Sequence, residues 1–322
     1  MSDGSRGVEV VFGRGGVRGI ALAGAAAAFE DHGYRVDRTA GISAGALVAA
    51  LIAAGYTSRE VRGIIQQLDY GALRDARGLG RLPGLGPLMA LFRTNGLYAG
   101  DALLEMFREL LAAKGVTTFA DLRAGPGDAP FRLRVLATDV TRGSIIVLPE
   151  DAPDYGIDPD DLEVALALRM SASVPFYYRP VRFGTPPDAS LVVDGGLLVG
   201  IPFALLEARD GGRRPLFGVQ AGLGGARRPS GRVRGPFSLL AASYHTAVSI
   251  NERGNRSPTD AARTIDIDCG GTSAVDFDLT DSAKTRLYEM GRSTARAFLA
   301  GYSARAVGSA RGSGRLRTPW LA

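Results

Sequence analysis

The segment GISAGA, residues 41–46, places a serine between two glycines in the pattern G-x-S-x-G. In acyl-transfer enzymes this pattern forms a sharp strand-to-helix turn that exposes the serine hydroxyl, here that of Ser43. Gly41 and Gly45 fit this turn because side chains there would collide with the neighbouring strand and helix. The apolar run ALVAALIAAG that follows predicts a helix. Ser43 is therefore a candidate nucleophile. A serine that only caps the helix would have the same neighbours, so a capping role is the alternative.

A serine nucleophile needs a base, and the chain contains only two histidines. His32 lies in EDHGY at the predicted end of a helix, and His245 lies in a helical run far from any second motif. The segment LVVDGG, residues 191–196, ends an apolar strand with Asp194. We expect this carboxylate at the carboxyl edge of the sheet, the edge from which Ser43 is presented. A DGG sequence is also a common turn by itself. Asp194 is the candidate base.

The segment VFGRGGVRGIALAG, residues 11–24, joins an apolar strand to a helix through a glycine-rich turn. Such a turn offers backbone N–H groups and the positive end of a helix dipole to a negative group. One interpretation is a dinucleotide pyrophosphate, since Gly13, Gly15 and Gly19 open the helix and Asp37 follows where a ribose-binding acid would lie. The other is the oxyanion of an acyl-transfer reaction.

Composition and charge restrict the class of protein. The 322 residues are 46% hydrophobic and can bury a full core, and no apolar run reaches the ~20 residues of a membrane span. A polar N-terminal segment and the single cysteine, Cys269, lead us to expect a cytoplasmic protein with no disulfide and no metal site. The net charge of +5 comes almost entirely from arginine. These arginines are either solvated or attract an anionic partner such as phospholipid headgroups.

The predicted elements alternate between strands and helices. Strands are expected at residues 8–12, 131–140, 144–148, 190–193, 216–220 and 264–268, with a further short strand just before Gly41. Helices are expected at residues 17–31, 44–54, 58–68, 101–113, 162–170, 237–250 and 281–299. This alternation predicts an α/β fold, a single three-layer α/β/α domain with a mostly parallel central sheet. We expect a disordered N-terminus over residues 1–7, the domain over residues 8–300, and a loosely held tail over residues 301–322.

The three motifs, in this order, resemble those of the patatin-like phospholipase family. Its members carry a G-G-x-R/K-G oxyanion loop, a G-x-S-x-G nucleophile and an aspartate in D-G-G or D-G-A. Here the loop is residues 15–19, the nucleophile Ser43 and the base Asp194. The segments TNGLYAGDAL, LATDVTRG, MSASVPFYYRPV and FDLTDSAKTRLYEMGRSTARAFL also look like bacterial members, so the resemblance covers residues 8–300.

The resemblance implies a lipid acyl hydrolase of the phospholipase A or lysophospholipase type, with a Ser–Asp dyad and no histidine, metal or cofactor. Backbone N–H groups of Gly15 and Gly16 would bind the oxyanion. Arg18 would either add charge to that site or order the glycine loop by hydrogen bonding. The family also includes enzymes that act on galactolipids, neutral lipids and thioesters. An acyltransferase or a thioesterase is therefore the alternative function, and a dinucleotide-binding oxidoreductase is a further one.

Two positions depart from the bacterial pattern, which usually has glycine at Arg14 and often asparagine at Gly200. Both departures could alter loop rigidity and substrate choice. The apolar segment GLGRLPGLGPLMAL, residues 78–91, is interrupted by glycine and proline, and is either a mobile lid or a buried turn of the core. The arginine-rich loop GGARRPSGRVRG, residues 224–235, lacks the aromatic side chains of a nucleic-acid surface. We expect it to favour reversible contact with an anionic membrane surface, through Arg227, Arg228, Arg232 and Arg234.

Overall fold

A computed structural model provides the structure of the chain. It describes residues 6–69, 71–75, 91, 93–125, 130–197, 200–210, 214–222, 239, 242, 246, 256–274, 276 and 278–302. The strands in this part of the chain are β1 (Arg6–Phe12), β2 (Tyr34–Ile42), β3 (Gly96–Tyr98), β4 (Leu133–Asp139), β5 (Ser144–Leu148), β6 (Phe176–Tyr178), β7 (Val181–Phe183), β8 (Ser190–Asp194), β9 (Leu216–Ala221) and β10 (Thr264–Ile267).

The α-helices in the same part of the chain alternate with these strands. They are α1 (Gly19–Asp31), α2 (Ala44–Ala53), α3 (Ser58–Gln67), α4 (Asp101–Ala112), α5 (Val164–Ser171), α6 (Phe203–Asp210), α7 (Pro258–Ala262) and α8 (Asp281–Gly301). Short 3₁₀-helices lie at Gly16–Arg18, Phe119–Leu122, Ala152–Tyr155 and Gly195–Leu197. Among the described residues, no helix combines the length and the apolar character needed to cross a bilayer.

Over the described residues, the central sheet has eight strands in the order β10-β9-β1-β2-β4-β8-β7, with β5 paired to β4. The five strands from β10 to β4 are parallel, whereas β5 and β8 run antiparallel to β4 and β7 runs antiparallel to β8. A second, two-stranded sheet pairs β3 with β6. The sheet is therefore mostly parallel, as predicted.

Helices cover both faces of the sheet, and alternate residues of β1 point into two separate hydrophobic clusters. Val10 and Phe12 face the larger cluster, which includes buried residues of α1, α2 and α8. Val11 faces the smaller cluster, where Phe203 and Leu206 of α6 cover the sheet. Each fully buried side chain of this kind contributes about 1.5–3 kcal/mol to folding. The arrangement confirms the three-layer α/β/α architecture.

The alanine- and glycine-rich composition of α1 allows a close crossing with α8. A Cβ atom on Gly24 would lie 2.0 Å from the carbonyl oxygen of Tyr288, and one on Gly291 would lie 1.9 Å from that of Ala21. The two helices therefore touch backbone to backbone, which buries α1 on nearly every side. This contact fixes the helix that follows the glycine-rich turn.

The predicted elements that fall on described residues are confirmed, with ends displaced by no more than two residues. The hydroxyl of Thr280 accepts a hydrogen bond from the Ala283 amide and caps α8. The sequence reading missed the three-residue strands β3, β6 and β7 and the helices α6 and α7. The predicted helix 237–250, the apolar segment 78–91 and the arginine-rich loop 224–235 lie wholly or almost wholly outside the described residues.

Candidate active site

Ser43 occupies a sharp turn between the end of β2 and the start of α2. Its backbone has φ +56° and ψ −127°, a conformation that costs a non-glycine residue on the order of 1–3 kcal/mol. A Cβ on Gly45 would lie 2.2 Å from the carbonyl oxygen of Phe12, and one on Gly41 would lie 2.3 Å from the Cα of Ala46. Close backbone contacts thus leave no room for a side chain at either glycine, and the turn presents a partly exposed serine.

Asp194 is the last residue of β8 and is only 2% exposed. Its Oδ1 atom accepts a hydrogen bond of 2.7 Å from the Gly196 amide. Its own amide donates a hydrogen bond of 2.9 Å to the carbonyl oxygen of Ser173. The second glycine of the D-G-G motif therefore orients the carboxylate, and the chain before β6 fixes its backbone.

Ser43 and Asp194 meet along one side of β4. The strand β8 runs antiparallel to β4, so its carboxyl end, with Asp194, approaches the carboxyl end of β2 from the opposite direction. The strand β5 occupies the other edge of β4, so β2 and β8 share this edge and approach each other end to end. Ile42 pairs with Leu136, and Asp194 pairs with the next residue, Ala137.

Burial away from water raises the pKa of Asp194 above its usual value, because the charged form loses its hydration. The Ser43 hydroxyl, the Gly196 amide and the positive charge of Arg14 oppose this effect and lower the pKa. The buried Oδ2 atom makes no hydrogen bond of standard geometry to any described residue. The Ser43 hydroxyl is thus close enough to the carboxylate to affect its pKa, although it makes no hydrogen bond of standard geometry to Oδ2.

The glycine-rich turn passes through the 3₁₀-helix Gly16–Arg18 into α1. Gly16 has φ +56°, and a Cβ there would lie 2.1 Å from the carbonyl oxygen of Ala274. That same carbonyl accepts a hydrogen bond of 3.0 Å from the Val17 amide. The amides of Gly15 and Gly16 donate no hydrogen bond to any residue that the structure describes. Among the described residues, both N–H groups therefore lack a hydrogen-bond acceptor.

The two arginines of the turn occupy different places. The Nε of Arg18 donates a hydrogen bond of 3.2 Å to the Gly15 carbonyl oxygen, so this side chain folds back onto the loop. The side chain of Arg14 passes beside the D-G-G turn, with its Cδ 2.6 Å from the position that a Cβ on Gly196 would take. Its charge acts on Asp194, and the departure at position 14 therefore changes the surroundings of the candidate base.

The other candidates from the sequence lie in ordinary structural roles or outside the described residues. His32 directly follows α1, and its Nδ1 lies 2.9 Å from the Ala28 carbonyl oxygen. His245 is not among the described residues. Asp37 lies on β2 and forms ion pairs with Arg35 of the same strand and with Arg214, which precedes β9. Within the described part of the chain, no three His, Cys, Asp or Glu side chains are grouped to hold a metal.

Sequence reasoning did not single out Ser171, although this residue touches the nucleophile turn. Its hydroxyl oxygen accepts a hydrogen bond of 2.9 Å from the Ser43 amide. The only sequence signal was its position in MSASVPFYYRPV, a segment that resembles a block of the family. A buried serine 128 residues away along the chain has no local pattern that would identify this contact.

Comparisons with known proteins identify the family of the chain. The patatin-like phospholipase family model matches residues 10–206. The chain is 36% identical over 292 residues to the uncharacterized protein YqhO of Bacillus subtilis (strain 168), an alignment that covers 91% of this chain and 98% of that protein. It is 23% identical over 195 residues to probable lipid hydrolase 463L of Invertebrate iridescent virus 6, covering 60% of this chain and 61% of that protein.

Among solved structures, VipD from Legionella pneumophila has the same fold. The superposition gives a TM-score of 0.54 at 17% sequence identity and covers 92% of this chain and 67% of that chain. At this identity the likeness extends to the fold alone. The matched family model includes the glycine-rich turn, Ser43 and Asp194. The chain belongs to the patatin-like phospholipase family.

Proposed function

We propose that this chain is a lipid acyl hydrolase that cleaves carboxylic esters through an acyl-enzyme on Ser43, within a domain over residues 8–300. Membership of the patatin-like phospholipase family supports lipid hydrolase activity in general. The single observation that carries the finer proposal is the end-to-end approach of β2 and β8, which brings a strained serine beside a buried carboxylate. No described histidine takes part in this arrangement.

In the first half of the reaction, Asp194 accepts the proton of the Ser43 hydroxyl while the serine oxygen attacks the ester carbonyl carbon. The tetrahedral intermediate then collapses, the bond to the alcohol oxygen breaks, and Asp194 returns the proton to the leaving alcohol. In the second half, Asp194 takes a proton from water while the water oxygen attacks the acyl carbon. The bond between that carbon and Ser43 Oγ then breaks, Asp194 returns the proton to Ser43 Oγ, and the carboxylic acid leaves. The raised pKa of Asp194 makes it a stronger base than an exposed carboxylate.

The negative charge on the carbonyl oxygen needs stabilisation in both tetrahedral intermediates. The amides of Gly15 and Gly16 are suited to this role because they are unpaired among the described residues and lie where α1 begins. Loss of one oxyanion donor typically reduces the rate by ~100- to 1,000-fold. The hydrogen bond from Arg18 to the Gly15 carbonyl supports a role in ordering this loop.

Lipid acyl esters are the proposed substrates, with phospholipids or lysophospholipids as the default class. The family and the named lipid hydrolase relative both support a lipid ester. An acyltransferase or thioesterase would form the same acyl-enzyme and would differ only in the acceptor or the leaving group. The net charge of +5 further supports reversible contact with an anionic lipid surface.

The test is incubation with a mixed lipid extract, followed by mass analysis of released fatty acids and lysolipids. We expect wild-type protein to release both, and Ser43→Ala, Asp194→Asn and the double variant to lose nearly the same activity because the dyad acts as one unit. Asp37→Asn is the matched control, since this carboxylate lies on β2 six residues before Ser43 and forms ion pairs with Arg35 and Arg214. Acyl transfer to an added alcohol would favour the alternative. Unchanged hydrolysis by the Ser43→Ala variant would contradict the proposal.

A further inference from the structure

The hydroxyl of Ser171 connects the nucleophile turn to β4. The Ser43 amide donates a hydrogen bond of 2.9 Å to Ser171 Oγ, and Ser171 Oγ donates one of 2.6 Å to the carbonyl oxygen of Leu136. Ser171 is completely buried at the end of α5. One hydroxyl thus satisfies a backbone donor and a backbone acceptor that lie on different elements.

The acceptor of this hydroxyl also adjoins the motif that carries the candidate base. A Cβ on Gly195 would lie only 2.4 Å from the Leu136 carbonyl oxygen, so the D-G-G turn packs directly on this carbonyl. Ala137, the next residue of β4, pairs with Asp194. The Ser171 hydroxyl therefore bridges the backbone of Ser43 to the strand position that supports Asp194.

The segment around Ser171 is itself held rigidly by a buried arginine. The guanidinium of Arg169 donates hydrogen bonds of 2.8–3.0 Å to the carbonyl oxygens of Ala99, Gly100 and Arg179. It also donates one of 2.5 Å to the hydroxyl of Ser173. Burial lowers the pKa of Arg169. Hydrogen bonds thus hold the segment at Arg169 and at Ser173, on both sides of Ser171.

The carbonyl oxygen of Ser173 supplies the second connection, because it accepts the hydrogen bond from the Asp194 amide. Two residues of one short segment therefore contact the backbone of the two dyad members. Neither contact uses the Ser43 hydroxyl or the Asp194 carboxylate. The contacts can set the relative position of the reacting groups without taking part in the reaction.

We propose that Ser171 is a positioning residue that holds the strained Ser43 turn at the correct distance from Asp194, an inference that rests on the proposed function. Without its hydroxyl, the Ser43 amide and the Leu136 carbonyl lose their shared partner in a buried site. The turn then relaxes away from its strained geometry. A displacement of about 1 Å between reacting groups can cost on the order of 100-fold in rate.

Ser171→Ala tests this role, with Thr39→Val as the matched control. Thr39 is also buried, lies on β2 just before the nucleophile turn, and donates a hydrogen bond of 2.9 Å from its hydroxyl to the Ala49 carbonyl oxygen. Both variants remove one buried hydroxyl, but only Ser171→Ala removes a partner of Ser43. We expect Ser171→Ala to lower kcat by about 10- to 100-fold with KM within about threefold, and Thr39→Val to keep both within about threefold.

The same variants are compared in their rate of labelling by an alkyl fluorophosphonate and in their melting temperature. We expect Ser171→Ala to slow labelling of Ser43 as strongly as it lowers kcat, at a stability equal to that of Thr39→Val. Equal kcat and labelling rates in the two variants would overturn the positioning role. A wild-type protein that is not labelled at Ser43 would instead overturn the proposed function, so the two failures are distinguishable.

A second variant covers the case in which Ser171→Ala does not fold. Ser171→Cys nearly keeps the side-chain volume, but a thiol is a weak donor and a weak acceptor. We expect it to fold and to show a reduced kcat with an unchanged KM. A Ser171→Cys variant with the wild-type kcat would overturn the inference.

Discussion

Replacing Ser43 by glycine and by alanine separates the strain of the turn from the chemistry of the hydroxyl. Both variants lack the nucleophile, and only glycine adopts φ +56° and ψ −127° without a steric cost. Relief of strain contributes about 1–3 kcal/mol. The greater flexibility of glycine in the unfolded chain offsets about 0.5–1 kcal/mol of this gain. We expect Ser43→Gly to be more stable than Ser43→Ala by about 0.5–2 kcal/mol.

This difference converts to a melting temperature through the entropy of unfolding, which is about 2.1 cal/mol/K per residue. For 322 residues, Ser43→Gly should melt about 1–3 °C above Ser43→Ala in scanning calorimetry. The control is Ala297→Gly, at an exposed position inside α8, which should lower the free energy of unfolding by about 1 kcal/mol. An Ser43→Gly variant that melts below Ser43→Ala would refute the assigned strain.

Four further predictions concern pH, histidine, vesicle binding and the segment 78–91. The value of kcat/KM should rise with pH through the pKa of Asp194, since only the ionised carboxylate accepts a proton. Arg14→Met should move this rise to higher pH, because it removes a positive charge that lowers the pKa of Asp194. An unchanged pH profile in Arg14→Met would contradict the role of Arg14. His32→Gln combined with His245→Gln should keep kcat/KM within about tenfold of the wild-type value, a margin of about 1.4 kcal/mol. A thousandfold loss from His245→Gln alone would indicate that His245, and not Asp194, is the base. Wild-type protein should bind anionic vesicles more strongly than zwitterionic ones in a flotation assay, and less strongly in high salt. Replacing Leu85, Leu88 and Leu91 by serine should reduce hydrolysis of vesicles but not of a short soluble ester. A parallel loss of both activities would show that the segment is part of the fold and not a lid.

The parts of the fold that follow from local sequence patterns were predictable. Runs of apolar residues separated by amphipathic helices predict the parallel core of the sheet, and the G-x-S-x-G spacing predicts a turn that excludes a Cβ at Gly41 and Gly45. Three-residue strands such as β3, β6 and β7 carry too few residues for a pattern, because their pairing depends on the neighbouring strand. Their positions follow only from the tertiary structure.

The relation between Ser43 and Asp194 shows where sequence reasoning reaches its limit. Both residues could be selected as candidates from their motifs, but the direction of β8 could not be predicted, since a short apolar strand has the same composition in either direction. The contact of Arg14 with the D-G-G turn and that of Ser171 with the Ser43 amide join residues far apart in the sequence. Such contacts depend on strand order and register, which a single sequence does not contain.

Covalent labelling tests most directly the central claim that Ser43 is the nucleophile. Wild-type protein is treated with an alkyl fluorophosphonate, and the modified residue is located by peptide mass analysis. The proposed dyad predicts one adduct, on Ser43, that is absent in Ser43→Ala and forms much more slowly in Asp194→Asn. An adduct on another serine, or full esterase activity in Ser43→Ala, would contradict the assignment of Ser43 as the nucleophile.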